Sequence, residues 1–220
     1  TNGIKLIGVD SSQTIIDGDK LGRVITFPKS LSIDTSTVIS KIGITNGGGA
    51  DWGGGIYFEW GTYSSIKITN SRIFKNKATQ QGGGIYRGNT FEGDNVSDFY
   101  KMRELIIENC LIDSNLAGRY GAGLKTNFTT IRNSKVIYNS TGGSLEIGGG
   151  YGGGAFYADK VTIYNSEIAY NKAYRWGAGW FSGGRMYNSS VHDNQSTLEA
   201  GGLQWGSFWG DDYAMEIIGN

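Results

Sequence analysis

The sequence predicts an all-β solenoid, in which short parallel strands stack repeat upon repeat. Three observations carry that expectation. Two asparagine columns recur in fixed phase, a glycine-rich corner follows the same clock, and no stretch of 10 or more residues shows a helical period.

The asparagines come first. From Ile66 the chain reads IKITNSRIFKNKATQQGGGIY, from Leu105 LIIENCLIDSNLAGRYGAGLK, and from Val161 VTIYNSEIAYNKAYRWGAGWF. The first asparagine of this template recurs at Asn46, Asn70, Asn109, Asn133, Asn165, Asn188 and Asn220. The second recurs at Asn76, Asn115, Asn139, Asn171 and Asn194, six residues after its partner. Twelve of 16 asparagines fall in these columns, so the period is a property of the whole chain. Stacked parallel strands lie about 4.8 Å apart, which turns a sequence column into a ladder of like side chains. Asparagine also tolerates the left-handed backbone that sharp corners need.

The glycines come next. Glycine supplies 37 of 220 residues and proline one, which excludes collagen and the common Pro/Gly-rich linkers. With 38% apolar residues the chain can bury a core. The last glycine of each triplet follows the first asparagine by 14 residues at Gly84, Gly123, Gly179 and Gly202. The interval is 21 at Gly154 and nine at Gly55. A corner without β-carbons suits close backbone approach. After the triplet the side chains alternate. Ile56, Ile85, Leu124, Ala155, Trp180 and Leu203 are expected inward; Tyr57, Tyr86, Lys125, Phe156, Phe181 and Gln204 are expected outward.

The strands between the corners are short. Ile68, Ile107, Ile131 and Ile163, then Ile73, Ile112, Val136, Ile168 and Val191, form two interior columns. A serine column at Ser71, Ser134, Ser166 and Ser189 has Cys110 as one member, which marks that thiol as structural. A unit this small cannot close a core alone and must stack on its copies.

The return legs from triplet to next asparagine vary from nine to 25 residues. The long ones, Tyr57–Ser65, Arg87–Glu104 and Gln204–Met215, all leave the same corner and belong on one side. Insertions on one face of a solenoid often form its binding face. They carry Glu59, Trp60, Asp94, Asp98, Trp205, Trp209, Asp211 and Asp212. Together with the outward Tyr86, Lys125, Phe156 and Phe181 these are the candidate binding residues. Carboxylates beside flat rings suit sugars, or Ca²⁺ as a cofactor. The same aromatics can instead simply shield the sheet.

Several classes are excluded. Twenty basic and 20 acidic residues cancel without a basic stripe, which argues against nucleic acid. No apolar run approaches the roughly 18 residues of a transmembrane segment. One cysteine and one histidine leave no disulfide framework, no Cys-rich zinc site and no Ser-His-Asp triad. No regular outward threonine column suggests ice binding.

The GGGIY segments at 53–57 and 82–86, GGGAFY at 152–157, and Ile-x-x-Asn at 73–76 resemble repeats of polymorphic outer membrane proteins and related bacterial surface proteins. The opening LIGVDSSQTIIDGDKLGRVITF at 6–27 resembles early coils of secreted β-helix proteins. The resemblance implies a right-handed parallel β-helix of about seven to eight coils. It implies one domain over residues 1–220, a fragment of a longer extracellular protein that is secreted or displayed on a bacterial cell surface. The expected function is a scaffold or adhesin-type module contacting a polysaccharide or a cell-surface partner. Further coils of the same chain, or neighbouring copies, are expected against its ends. Pectate-lyase-like enzymes share the coil architecture, so a polysaccharide lyase or glycoside hydrolase is the alternative, with pairs such as Asp98 and Glu59 as carboxylates and Lys125 or Arg185 as base.

Overall fold

The structure is a computed structural model that describes residues 3–28, 37–59, 65–88, 104–142, 152–206 and 215–218. Every regular element among these residues is a β-strand, and the strands pair in parallel into three sheets. Two sheets are simple stacks. The first holds Ile15–Asp17, Gly43–Thr45, Arg72–Phe74, Leu111–Asp113, Lys135–Ile137, Glu167–Ala169 and Ser190–His192. The second holds Ala50–Trp52, Lys77–Gln81, Leu116–Ala117, Ser140–Thr141, Lys172–Ala173 and Gln195–Ser196.

The third sheet is two stacks joined in its later repeats. One contains the strands after the glycine corner: Ile25–Phe27, Ile56–Phe58, Ile85–Arg87 and Leu124–Thr126. The other contains the strands before the first asparagine column, among them Ile66–Thr69, Leu105–Glu108 and Thr129–Arg132. In the next two repeats Phe156–Tyr164 and Gly179–Tyr187 run through both stacks without a break. The long legs begin at the seam between these two stacks, at the ends of the post-corner strands, where Phe58 pairs with Arg87 and Phe181 with Trp205. The architecture is therefore a solenoid-like parallel β fold.

The core follows the two aliphatic columns. Ile44, Ile73, Ile112, Val136 and Ile168 are fully buried, as are Ile68, Ile107, Ile131 and Ile163. The second asparagine column lies inside with them. Asn115 donates from Nδ2 to Asn139 Oδ1 at 3.0 Å, and Asn139 in turn to Asn171 Oδ1 at 3.0 Å. Beside it runs a serine ladder. Ser134 Oγ donates to the Arg132 carbonyl at 2.6 Å and accepts the Cys110 N–H at 3.0 Å.

Cys110 completes that ladder with sulfur, directing Sγ at the Glu108 carbonyl 3.2 Å away. Burial pushes its thiol up from 9.0 to about 11. Between these values an unfolded chain ionises at Cys110 while the native one does not. Stability from this group is complete below pH 9 and is lost as pH rises to about 11, by on the order of 2–3 kcal/mol. Urea titrations are expected to show a steeper decline over that window in the native protein than in Cys110→Ser. The native thiol should also resist an aromatic disulfide reagent that labels the unfolded chain.

The first asparagine column needs a correction at its start. Ser40 pairs with Thr69 and Gly43 with Arg72, so the residue level with Asn70 is Lys41, which adopts φ 58°. Asn46, at φ 55°, belongs to the second left-handed corner with Lys75, Ser114, Tyr138 and Tyr170. Counted from Lys41, Gly55 falls 14 residues on, and the odd interval of nine disappears. Left-handed backbone costs most L-residues about 1–2 kcal/mol and asparagine less. Lys41→Asn is therefore expected to stabilise the fold by up to about 1 kcal/mol, read as a higher urea midpoint at unchanged slope.

The glycine corner needs a second correction. Its left-handed position is Gly53, Gly82 and Gly121 in the early repeats, then Gly153, then Trp176 at φ 54°. Leu124 consequently pairs with Phe156, and Phe156 with Gly179. Phe156 and Phe181 face the core at 1% and 3% exposure, contrary to the outward placement expected of them. Trp180 moves the other way, and outward Tyr157 replaces Phe156. Alternation has a period of two, so the one-residue slip inverts the side chains of these two repeats, while Leu203 and Gln204 in the last repeat keep their expected inward and outward places.

Candidate functional site

The face that the sequence marks for binding is the outer side of the strands after the glycine corner. Register sets its central column as Thr26, Tyr57, Tyr86, Lys125, Tyr157, Trp180 and Gln204. The corner explains why these side chains line up. A Cβ on Gly84 would lie 2.5 Å from the Gly123 carbonyl oxygen, so neighbouring turns approach with backbone on backbone.

The column is continuous. The Arg23 guanidinium lies 3.9 Å over the Tyr57 ring, and Tyr57 stacks on Tyr86 with centroids 5.7 Å apart. Lys125 places Nζ 5.1 Å from the Tyr157 centroid, and Tyr157 stacks on Trp180 at 4.6 Å and 22°. A second row leans on the first from the corner itself. Trp52 stacks on Tyr86 at 5.9 Å, Tyr120 tilts onto Tyr157 at 4.6 Å, and Trp176 onto Trp180 at 6.2 Å. Each aromatic or cation–π contact of this kind is worth about 0.5–1.5 kcal/mol.

The central rings are buried by one another and by their neighbours. Tyr86 is 4% exposed and Lys125 8%. The column therefore shields the sheet, and the half-buried Trp52, Tyr120 and Trp176 form its accessible rim. Two ionisable groups sit within this packing. Burial pulls the Lys125 ammonium down, with Asp159 pulling it back, and burial pushes the Asp159 carboxyl up against the opposite pull of Lys125. Asp159 lies two residues beyond Tyr157, diagonal to Lys125, and its buried Oδ2 accepts no hydrogen bond among the described residues. The Tyr157 phenol is likewise held protonated by burial. At the adjoining strand end Arg87 is buried beside the Phe58 ring at 5.7 Å, and burial lowers its guanidinium to about 10.

Of the candidate residues, Tyr86 and Lys125 meet in the central column. Glu59 lies exposed at the end of Ile56–Phe58, its backbone N–H donating to the Phe27 carbonyl at 2.9 Å. Trp205 is 46% exposed and donates from Nε1 to the Ser182 carbonyl at 3.2 Å. Phe156 and Phe181 are core residues. Trp60, Asp94, Asp98, Trp209, Asp211 and Asp212 lie outside the described residues. Sequence reasoning missed Arg23, Trp52, Tyr120, Tyr157, Asp159 and Trp176. Tyr157 becomes visible once Ala155 is aligned with Gly123. Trp52 and Tyr120 share the place just before a left-handed glycine.

Among the described residues no three of His, Cys, Asp or Glu converge to hold a metal ion. No helix there is long and apolar enough to cross a membrane. Comparison with protein-family models, curated proteins and solved structures returned no match to this chain.

Proposed function

We propose that the chain is a right-handed parallel β-helix of about seven to eight coils, serving as an extracellular or cell-surface scaffold of adhesin type. It contacts glycans, or a surface partner, along the outer face of the strands after the glycine corner. The observation that carries this reading is the aromatic rim of Trp52, Tyr120 and Trp176 at the glycine corner, held by the packed column beside it. Rigid elements hold recognition groups better than loops do. Rings half in solvent offer edges and faces for a sugar at low ordering cost. The resemblance to bacterial surface repeats agrees with this role.

Among the described residues the strands Lys5–Ile7 and Ile15–Asp17 each pair on one side only, and Ile7, Val9 and Leu21 are exposed. Further coils or a neighbouring copy would cover them, since an open strand edge is an association hazard.

Glycan-array binding followed by calorimetry tests the main reading. Trp176→Ala and Trp52→Ala should each weaken a glycan hit at least tenfold. A panel without hits, or variants that bind as the parent does, would reject it.

One observation favours the alternative reading, a polysaccharide lyase or glycoside hydrolase. Burial shifts Asp159 toward its protonated acid and Lys125 toward its neutral amine, the directions that suit a proton donor beside a proton acceptor. Release of reducing ends or unsaturated products, abolished in Asp159→Asn, would support it. Binding without turnover would exclude it.

A further inference from the structure

A second surface has a different character. Where the large sheet turns into the stack that contains Lys135–Ile137 and Glu167–Ala169, three repeats form an open groove of about 540 Å³. Its lining includes the left-handed corner residues Asn133, Asn165 and Asn188, with Lys135, Glu167 and Ser190 on one wall. Stacked Tyr164 and Tyr187, 4.8 Å apart and 6° from parallel, immediately precede Asn165 and Asn188.

The chemistry of this groove is narrow. Most of its backbone N–H groups are already paired. The Asn133 N–H donates to the Tyr164 carbonyl, the Asn165 N–H to the Tyr187 carbonyl, and the Ser134 and Ser166 N–H groups to the serine hydroxyls of the next repeat. An extended peptide would need a free strand edge or apolar side-chain pockets, and here the lining is asparagine, serine, lysine and glutamate. What remains available are side-chain amides that point to solvent. Asn165 Nδ2 donates to Asn133 Oδ1 at 3.2 Å, which keeps the second amide hydrogen of Asn165 and further lone pairs of Asn133 unused. The Asn188 side chain makes no hydrogen bond among the described residues. These three amides recur at the strand spacing, about 4.8 Å. Lys135 pairs with Glu167, and His192 Nε2 lies 3.4 Å from the same carboxylate, so the wall presents charges of both signs.

We propose that this groove is a binding site for a neutral oligosaccharide lying along the solenoid axis across Asn133, Asn165 and Asn188. The amides alternate donor and acceptor toward successive ring hydroxyls, and the Lys135–Glu167 pair brackets one more. A neutral ligand fits because Lys135 and Glu167 already satisfy each other. The site is independent of the aromatic rim and stands if that rim binds nothing.

The test titrates the intact chain with neutral tetrasaccharides of glucose, N-acetylglucosamine, mannose and xylose, and with a tetra-uronate. The variant Asn165→Gly/Asn188→Gly removes two amides while glycine keeps the left-handed corner. Ser190→Trp fills the groove from an exposed position. At least one neutral tetrasaccharide should bind, at least tenfold more weakly to both variants, while Leu21→Ser, an exposed change outside the groove, binds as the parent does. The proposal is overturned if no neutral tetrasaccharide binds, if the tetra-uronate binds more tightly, or if both folded variants keep parental affinity. Loss of binding in Trp176→Ala alone would move the ligand to the rim.

Discussion

Asn139→Ala is expected to lower the free energy of unfolding by about 3–5 kcal/mol, because one buried amide lies within hydrogen-bond reach of five polar atoms. Its Oδ1 accepts from the backbone N–H and Nδ2 of Asn115, both at 3.0 Å. Its Nδ2 shares two hydrogens among the Ile112 and Ile137 carbonyls and Asn171 Oδ1, all at 3.0 Å. Alanine strands these groups in a water-free interior, and each unsatisfied buried group costs about 1–3 kcal/mol before relaxation. Asn139→Asp should fare little better at neutral pH, since a carboxylate donates nothing to the two carbonyls and carries an uncompensated charge. Asn165→Gly supplies the contrast. That asparagine is exposed, serves a corner that glycine also accepts, and should cost well under about 1 kcal/mol. Urea denaturation of the three variants decides the matter. A loss below about 1 kcal/mol for Asn139→Ala would mean that the ladder is not a connected network.

The difference between these two asparagines was only partly legible in the sequence. Both columns show the same period and composition, so both read as ladders. Only the backbone tells which amide turns inward. The column at Asn133, Asn165 and Asn188 supplies left-handed corners at φ 46°, 46° and 44°, and its amides face solvent. The column at Asn115, Asn139 and Asn171 is buried. Asn46 was ambiguous for the same reason. A single asparagine before glycine fits either corner, and the register with Arg72 assigns it to the second.

Phase at the glycine corner was lost in a related way. In Gly152-Gly153-Gly154-Ala155 and in Trp176-Gly177-Ala178-Gly179, a run of small residues can be aligned in two frames. The glycines themselves cannot choose between them. A tryptophan in the left-handed position is a choice that composition argues against, yet Trp176 occupies it and there reaches Trp180. That tilted ring contact, worth about 0.5–1.5 kcal/mol, offsets some of the backbone strain. The aliphatic columns escaped the ambiguity because Ile, Val and Leu at period two have one frame that buries them all. The candidate site suffered most from it. Tyr86 and Lys125 precede the slip and were placed correctly, while Phe156 and Phe181 follow it and were not.

Gly47→Asn is expected to destabilise by about 2 kcal/mol or more, although the repeat asks for asparagine there. With Lys41 as the true first-column member, Gly47 lies six residues on, in the place of the buried ladder. Its N–H donates to Asn76 Oδ1 at 2.9 Å, as the Asn76 N–H does to Asn115 Oδ1 at 3.1 Å. A consensus argument would therefore insert asparagine and expect a gain. The local geometry says otherwise. A Cβ on Gly47 would overlap the Gly54 carbonyl oxygen, and the Gly54 carbonyl carbon behind it belongs to backbone that cannot rotate away. The corner after Gly47 is pulled in close, and the Asn76 amide reaches past it to the Ile44 carbonyl at 3.0 Å. The ladder therefore ends at Asn76 for lack of room. Gly47→Ala separates the two causes, since it adds the clashing atom without an amide. If the clash rules, alanine and asparagine should be comparably destabilising, and urea midpoints should fall for both. If Gly47→Asn instead matched or exceeded the parent, the ladder would extend by one rung and the close approach at Gly54 would have to open.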